Sequence, residues 1–561
     1  MTVRRTPMFL AVEVMFREFR SHGGRALSIG VALTLVLLIA ALPAQGRDKP
    51  PPVKVRDAHL LHRGSVFDGP NGLFFSPDDR LLYLASVTGG EIDILDPRSG
   101  HVRGRLGEDV GVLSPDDVTV APDGTVYWTN IVNGTVGKLS PDGSWKTQFV
   151  AFGVNPITLS DDGRLFVGLA FFGDGLFELD PELTAPPQPV LPASSPPLGL
   201  NGFDFGPDGM LYAPRMFTGE IVRIEVDAAT PVPHVVASGF TFPTAVKFDS
   251  KGQLHLAANG NVFRIDLATG VRTVLLDTNR DTDNLAFDSK DRLFVATHGD
   301  NTVLEVLPSG RARLLNRPGV GNPGGVAVLP NGRGGEDVYV ADLYTVDRID
   351  GRTGRFQRVL PQVSPTSVNV DATGSRLIVA DPVFAGAVQV FDPASGAVVA
   401  SYPVPGAFNA VPFDGDIAIS QLGLGVVDTT GSVLMSGLFL PAGMTSDGEN
   451  LYVSDWATGI IWRLPAGGVQ VPIAFGLANP EGLELRNGEL LVLEEGTKQL
   501  TGIDLASGER AVIAEGLPIG RQHAASPFIP PFVVLSDVAV GPSGDVYVTA
   551  DDPNGVYVLR G

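Results

Sequence analysis

Six small, oxygen-bearing side chains recur through the first half of the chain: Asn71, Asp116, Asn155, Asn201, Thr244 and Asp283. Hard cations such as Ca2+ take about six to eight oxygen ligands from carboxylates, amides and water. Gathered around one axis, these residues would meet that demand, with Asp116, Asn155, Asn201 and Asp283 holding a divalent cation. Asn71, Asn130, Thr244 and Asn284 would then face a substrate. His298 is the candidate general acid or base, because its ordinary pKa lies near neutrality. Arg215 is the candidate partner for a carboxylate or a developing oxyanion, through its forked donors. A second reading stands beside this one. Asn and Asp also cap the turns that lead into strands by hydrogen-bonding local backbone.

What must position these residues is a repeat. One unit reads as a polar residue, an alternating apolar run, a Pro-Asp-Gly-like turn, a second run, a Gly turn, a third strand, an Asp-Pro or Ser-Gly turn and a fourth strand. Copies start at Asn71 (NGLFFSPDDRLLYLASVTGGEIDILDPRSG), Asp116, Asn201 and Asp283. In all, units begin at Asn71, Asp116, Asn155, Asn201, Thr244, Asp283, Gly324, Thr366, Asn409, Ala442, Glu481 and Ser536. The spacing runs from 33 residues (Asn409 to Ala442) to 55 (Glu481 to Ser536). Four runs of period-two alternation make each unit a four-stranded meander, which cannot bury both faces alone. Radial stacking buries them, so the chain is expected to be all-β, twelve four-stranded blades in two tandem six-bladed β-propellers.

Strand phase argues for two rings rather than one. The last unit ends on its third strand, and residues 58–63 (AHLLHR) form an orphan strand before the first unit. Cutting at Pro308-Ser309-Gly310 leaves RARLLNRPG as a second orphan. Each half would then close its own ring with its own leading strand, removing exposed edges. The expected domains are residues 57–307 and 308–561. The structural alternative has residues 58–63 completing the twelfth blade.

The first 46 residues read as a targeting segment. Arg17, Arg20 and Arg25 precede the apolar run 26–42, and Ala44 follows in LPAQG. This is the order of an export signal, and an uncleaved membrane anchor is the alternative. Residues 47–56 are a Pro-rich linker. An exported protein, periplasmic or extracellular, is expected, touching membrane only through residues 26–42. The net charge of −21 disfavours nucleic acid and anionic lipid as partners. With no Cys, thiolate chemistry and Cys-ligated metals are excluded. No nucleophile elbow, phosphate loop, dinucleotide fingerprint or HExxH motif stands in a suitable context, so no organic cofactor is expected.

The phrases PDGTVYWTN, DRLFVATHGDN and ENLYVSDWATGIIWRL resemble NHL-repeat propellers. NGLFFSPDDRLLYLA and NGFDFGPDGMLYAP resemble the gluconolactonase (senescence-marker-protein) family, and also paraoxonases and strictosidine-synthase-like proteins. Blade two also resembles streptogramin lyase. The resemblance covers nearly all of residues 57–561 and implies the propeller fold. It further implies that ligands of a catalytic divalent metal come from strand starts, where Asn201, Asp283 and Asn284 match. The chain departs from that pattern at Thr244, which stands between Asn201 and Asp283, and at Asn71, where those families have Glu.

Three functions follow. The first is a divalent-metal-dependent hydrolase of lactone or ester type, acting on a small molecule at the mouth of the first propeller. The second is a non-catalytic binding propeller that presents a face to a protein or small-molecule partner. The third is a streptogramin-lyase-like eliminase. In the second propeller the strand starts are less polar and less suited to a metal. There Asp342, Asp381, Asp455, Glu494 and Asp551, at the ends of second strands, read as structural acids. A long insertion before Ser536, carrying Arg521 and His523, accounts for the widest spacing.

Overall fold

The computed structural model describes residues 58–170, 173–194, 197–278, 280–361, 363–520 and 535–560. The export signal or anchor, the Pro-rich linker, and Arg521 and His523 of the long insertion lie outside the described residues. The described chain is all-β, arranged as twelve four-stranded antiparallel sheets.

Blade 2 shows why these sequences make blades. Its strands are Pro115–Val120, Val126–Asn130, Thr135–Leu139 and Trp145–Phe149. The first two are buried throughout, the third is buried at its centre, and the fourth is largely exposed. Burial therefore falls from axis to rim, as it must when wedge-shaped sheets stack around a channel. The turns are tight: Asp123 Oδ1 accepts the Thr125 N–H at 2.8 Å, and Gly124 takes φ +92°. Such turn chemistry is what the Pro-Asp-Gly phrase supplies.

Two compact units result. The first propeller is Ser65–Gly321, blades 1–6. Inner strands touch in order around it, and Pro70–Phe75 of blade 1 meets Leu285–Phe287 of blade 6 to close the ring. The closing seam is apolar. Phe67, Leu73, Phe75 and Leu84 pack with Ala286, Phe294 and Val303, and the Phe75 and Phe294 rings meet edge to face at 5.2 Å. Ser65 Oγ also donates to the Asn301 carbonyl at 2.7 Å.

The second propeller comprises residues 322–520, 535–560 and the strand His59–Arg63. Its inner strands also meet at the seam, Val326–Pro330 of blade 7 against Val538–Val540 of blade 12. Glu336 reinforces the seam by accepting the Tyr547 hydroxyl at 2.7 Å and the Ser543 hydroxyl at 2.6 Å.

Closure corrects the expected boundary. His59–Arg63 pairs with Asn554–Leu559 and completes blade 12, so it belongs to the second ring and not to the first. Ala312–Leu314 pairs with Thr302–Val306 and completes blade 6. The supposed cut at Pro308-Ser309-Gly310 is a hairpin turn inside that blade. Leu307 N–H donates to Arg311 O at 2.8 Å, and Gly310 sits at φ +75°. The units therefore divide at 64/65 and 321/322, and not at 307/308. The first propeller is an insertion between the closing strand of the second and the rest of it.

Candidate functional site

The inner strands of the first propeller start around one mouth of its channel, and the polar side chains there form a chain of contacts. Asn71 Nδ2 donates to Asp116 Oδ1 at 2.8 Å. Asn155 hydrogen-bonds the Asp116 carboxyl, and its Nδ2 donates to Asn201 Oδ1 at 3.1 Å. Asp283, from blade 6, lies close enough to feel the charges of Asp116 and Asp117. His298 Nδ1 stands 3.6 Å from Asp283 Oδ1. Residues spread over more than two hundred positions of sequence thus meet at one axis, as the repeat register requires.

Burial sets the electrostatics. It pushes the Asp116 carboxyl up to about 8, with the charge of Asp117 adding to the effect. Burial, then the neighbouring charges of Asp116, Asp281 and Asp117, hold Asp283 well above the ordinary carboxylate range. Burial also lowers the His298 imidazole to about 3. Desolvation favours the neutral form of each group, the protonated acid and the uncharged imidazole.

These groups fit a hard cation in part. Among the described residues no cluster of three or more His, Asp or Glu is arranged to hold a metal ion. Amide oxygens would have to complete the set. Asn155 Oδ1 is suited to this, being buried with no hydrogen-bond partner among the described residues. Asn201 is less suited, because its Oδ1 already accepts from Asn155 and from the Gly202 N–H at 2.9 Å. The fitting donors are therefore Asp116, Asp283 and Asn155.

Three expected contacts are committed elsewhere. Asn130 Oδ1 accepts the N–H groups of Leu113 and Ser114, at 2.9 and 3.3 Å. Its Nδ2 donates to Gly111 O and to Thr135 Oγ1. It is a fully satisfied bracket holding the loop before its own inner strand. Arg215 pairs with Glu220 at 2.7 Å, directly across adjacent strands, so its charge is neutralised within blade 4. Thr244 Oγ1 donates to backbone, to Thr282 O at 3.1 Å and Ala257 O at 3.3 Å. Asn130 and Thr244 follow the capping reading, and Arg215 is held by its ion pair.

Asn284 points deeper. Its Nδ2 donates to Asp117 Oδ1 at 3.1 Å. Asp117 escaped the register because it stands one place after the ring position, although the Asp116-Asp117 doublet signals it. Its Oδ1 accepts the Val118 N–H and its Oδ2 the Ile157 N–H, tying blade 2 to blade 3. A Cβ on Gly72 would lie 2.2 Å from Asp117 Oδ1, so only Gly admits this crossing. Asp300 was also missed. It accepts the Thr297 and Thr302 hydroxyls at 2.6 and 2.9 Å and pairs with Arg280, holding the short turn His298–Asp300 that presents the imidazole.

Three of the second-propeller acids, Asp342, Asp455 and Glu494, act as brackets. Asp455 accepts the Phe439 and Leu440 N–H groups at 3.0 and 2.8 Å, and Asp342 accepts those of Asn322 and Leu343. Glu494 accepts the Ala478 N–H and the Thr501 hydroxyl.

The chain is thus a tandem six-bladed β-propeller with a buried polar ring at one channel mouth. It is similar to several solved structures. One is a gluconolactonase from Xanthomonas campestris, at 15% identity over 46% of this chain and 96% of that one, with a TM-score of 0.36. Another is virginiamycin B lyase from Staphylococcus aureus, at 16% identity over 48% and 91%, with a TM-score of 0.31. A third is the extracellular domain of BT4673 from B. thetaiotaomicron, at 12% identity over 90% and 82%, with a TM-score of 0.31. No family model and no curated protein matches the sequence.

Proposed function

We propose that the first propeller is a divalent-cation-dependent hydrolase of a small lactone or ester. The observation that carries this reading is the meeting of Asp116, Asp283 and His298 in one buried channel mouth. Asp116, Asp283 and the Asn155 amide oxygen would hold the cation. When bound, it supplies Lewis acidity toward the substrate carbonyl oxygen. The residues supply the rest. Ionised Asp283, 3.6 Å from Nδ1, orients the His298 ring and restores basicity that burial removes. His298 takes a proton as water adds to the acyl carbon, then returns it to the alkoxide as the acyl C–O bond breaks. Asn71, holding Asp116, positions that carboxylate.

Elemental analysis and calorimetric titration with Ca2+ test the cation. Asp116→Asn combined with Asp283→Asn should abolish binding, and full retention in that variant would sink the assignment. Cation binding at neutral pH should also release protons, measurable as a dependence of the heat on buffer ionisation enthalpy. For turnover on a lactone panel, His298→Gln should lower kcat/KM by roughly 100-fold or more with cation content unchanged. A protein that binds the cation but turns over nothing would instead be the binding propeller.

We also infer export, supported by Arg17, Arg20 and Arg25 ahead of the apolar run 26–42. Cell fractionation checks it, and a cytoplasmic pool alone would refute it.

A further inference from the structure

The second propeller carries a cavity that the reading above does not use. It has a volume of about 400 Å3 and lies along the channel, away from the strand starts. That volume falls within the range of small-molecule sites. Two residues on from the strand-start level in blade 9 and three in the others, its inner strands present Ala327, Asn369, Val411, Thr445, Glu484 and Ala539. Two Ala and a Val leave the space open. In the first propeller the matching layer includes Phe74, with the Lys247 ammonium 5.9 Å from its ring and Asp204 3.9 Å from that ammonium. There the same level carries a large aromatic ring, and its acid has a basic partner.

In the second propeller neither happens. Glu484 and Asn369 stand three blades apart in a ring of six, so they face each other across the space. Val328, Val370 and Val540 make apolar walls, and Asp371 and Asp447 add carboxyls. Among the described residues no Lys, Arg or His lines the cavity. Glu484 Oε1 accepts the Leu485 N–H at 2.8 Å, which fixes the carboxyl in place. We propose that this cavity is a binding site for a small organic cation, an ammonium carried on an apolar body. The body would rest on the Val walls and the ammonium would lie against Glu484.

Anions are disfavoured because every charged group lining the space is acidic. A metal ion alone would leave the apolar walls unmatched. Burial pushes the Glu484 carboxyl up to about 8, and Asp537 adds to the effect. An ammonium beside it reverses that balance, and the proton leaves to solvent.

The test uses the full chain and three probes of one shape: cyclohexylammonium, cyclohexanol and cyclohexanecarboxylate. Calorimetry should show saturable binding of the cation, at least about tenfold tighter than the other two. Glu484→Gln should weaken cation binding by roughly tenfold or more, while keeping the acceptor for Leu485 N–H. Ala327→Phe, which copies the bulk of Phe74, should abolish binding with the thermal midpoint kept. Should that variant fail to fold, Ala539→Leu fills the layer from the adjacent blade 12. The proposal is overturned by equal binding of all three probes, by no saturable binding at about 10 mM, or by undiminished binding in a folded, filled variant.

Discussion

At the residue scale, the ring at the first channel mouth is defined by desolvation. Asp116 keeps its proton to about 8 in the folded protein, against 3.8 ordinarily. The folded state therefore binds a proton that the unfolded chain has released, and stability falls as pH rises from about 4 through 8. Asp116→Asn cannot make that change. In the presence of a chelator, its melting midpoint relative to wild type should climb with pH, ending roughly 2–4 °C higher at pH 8. Melts at pH 4, 6 and 8 measure this, and a constant difference would show that Asp116 does not titrate there. The ring itself was legible in the repeat register: Asn71, Asp116, Asn155, Asn201 and Asp283 do converge. The commitments of Asn130, Arg215 and Thr244 were not. They depend on which cross-strand or backbone group lies within about 3 Å, as Glu220 does for Arg215, and a sequence does not carry that distance.

At the element scale, the recurring device is the bracket from the end of a second strand to the loop before its own inner strand. Asp342, Asp455 and Glu494 serve it with carboxylates, and Asn130 serves it with an amide. Asp455→Ala would leave the Phe439 and Leu440 N–H groups without their acceptor. It should cost about 2–4 kcal/mol, since each buried unsatisfied group costs roughly 1–3 kcal/mol. Asp455→Asn should cost about 1 kcal/mol or less, because an amide oxygen can accept both bonds as Asn130 does. Urea denaturation followed through second-propeller probes checks the pair, and equal losses would show that the charge rather than the acceptor matters. The habit was visible in the acids that end second strands, such as Asp342 after the apolar run Val338–Ala341, because a polar residue after an apolar strand has few uses other than capping.

At the scale of the molecule, closure is asymmetric. The first ring closes on side-chain packing such as Phe75 against Phe294. The second closes on a strand, with His59 paired to Val558 and Leu60 to Tyr557. His62 extends the lock to blade 7, stacking on Phe356 at 5.3 Å with Nδ1 3.0 Å from Gly354 O. A chain lacking residues 1–63 should therefore lose hydrogen-exchange protection in Asn554–Leu559 and Phe356–Pro361 by roughly tenfold or more. Pro70–Phe75 and Leu293–Thr297 should keep theirs. Exchange measured by mass spectrometry reads both, and a uniform loss across the two rings would contradict separate closure.

By itself the sequence determined the number of blades, their four-stranded form, their division into two rings and the level at which polar side chains meet. Those features follow from alternation, turn chemistry and spacing, which are local. The tertiary structure alone decided which edge receives residues 58–63, and hence that one propeller is inserted in the other. It also decided which polar side chains are spent on backbone and which layer of a channel stays open. An outer strand pairs through backbone groups that every residue shares, so its partner is chosen by what else in the fold is already satisfied.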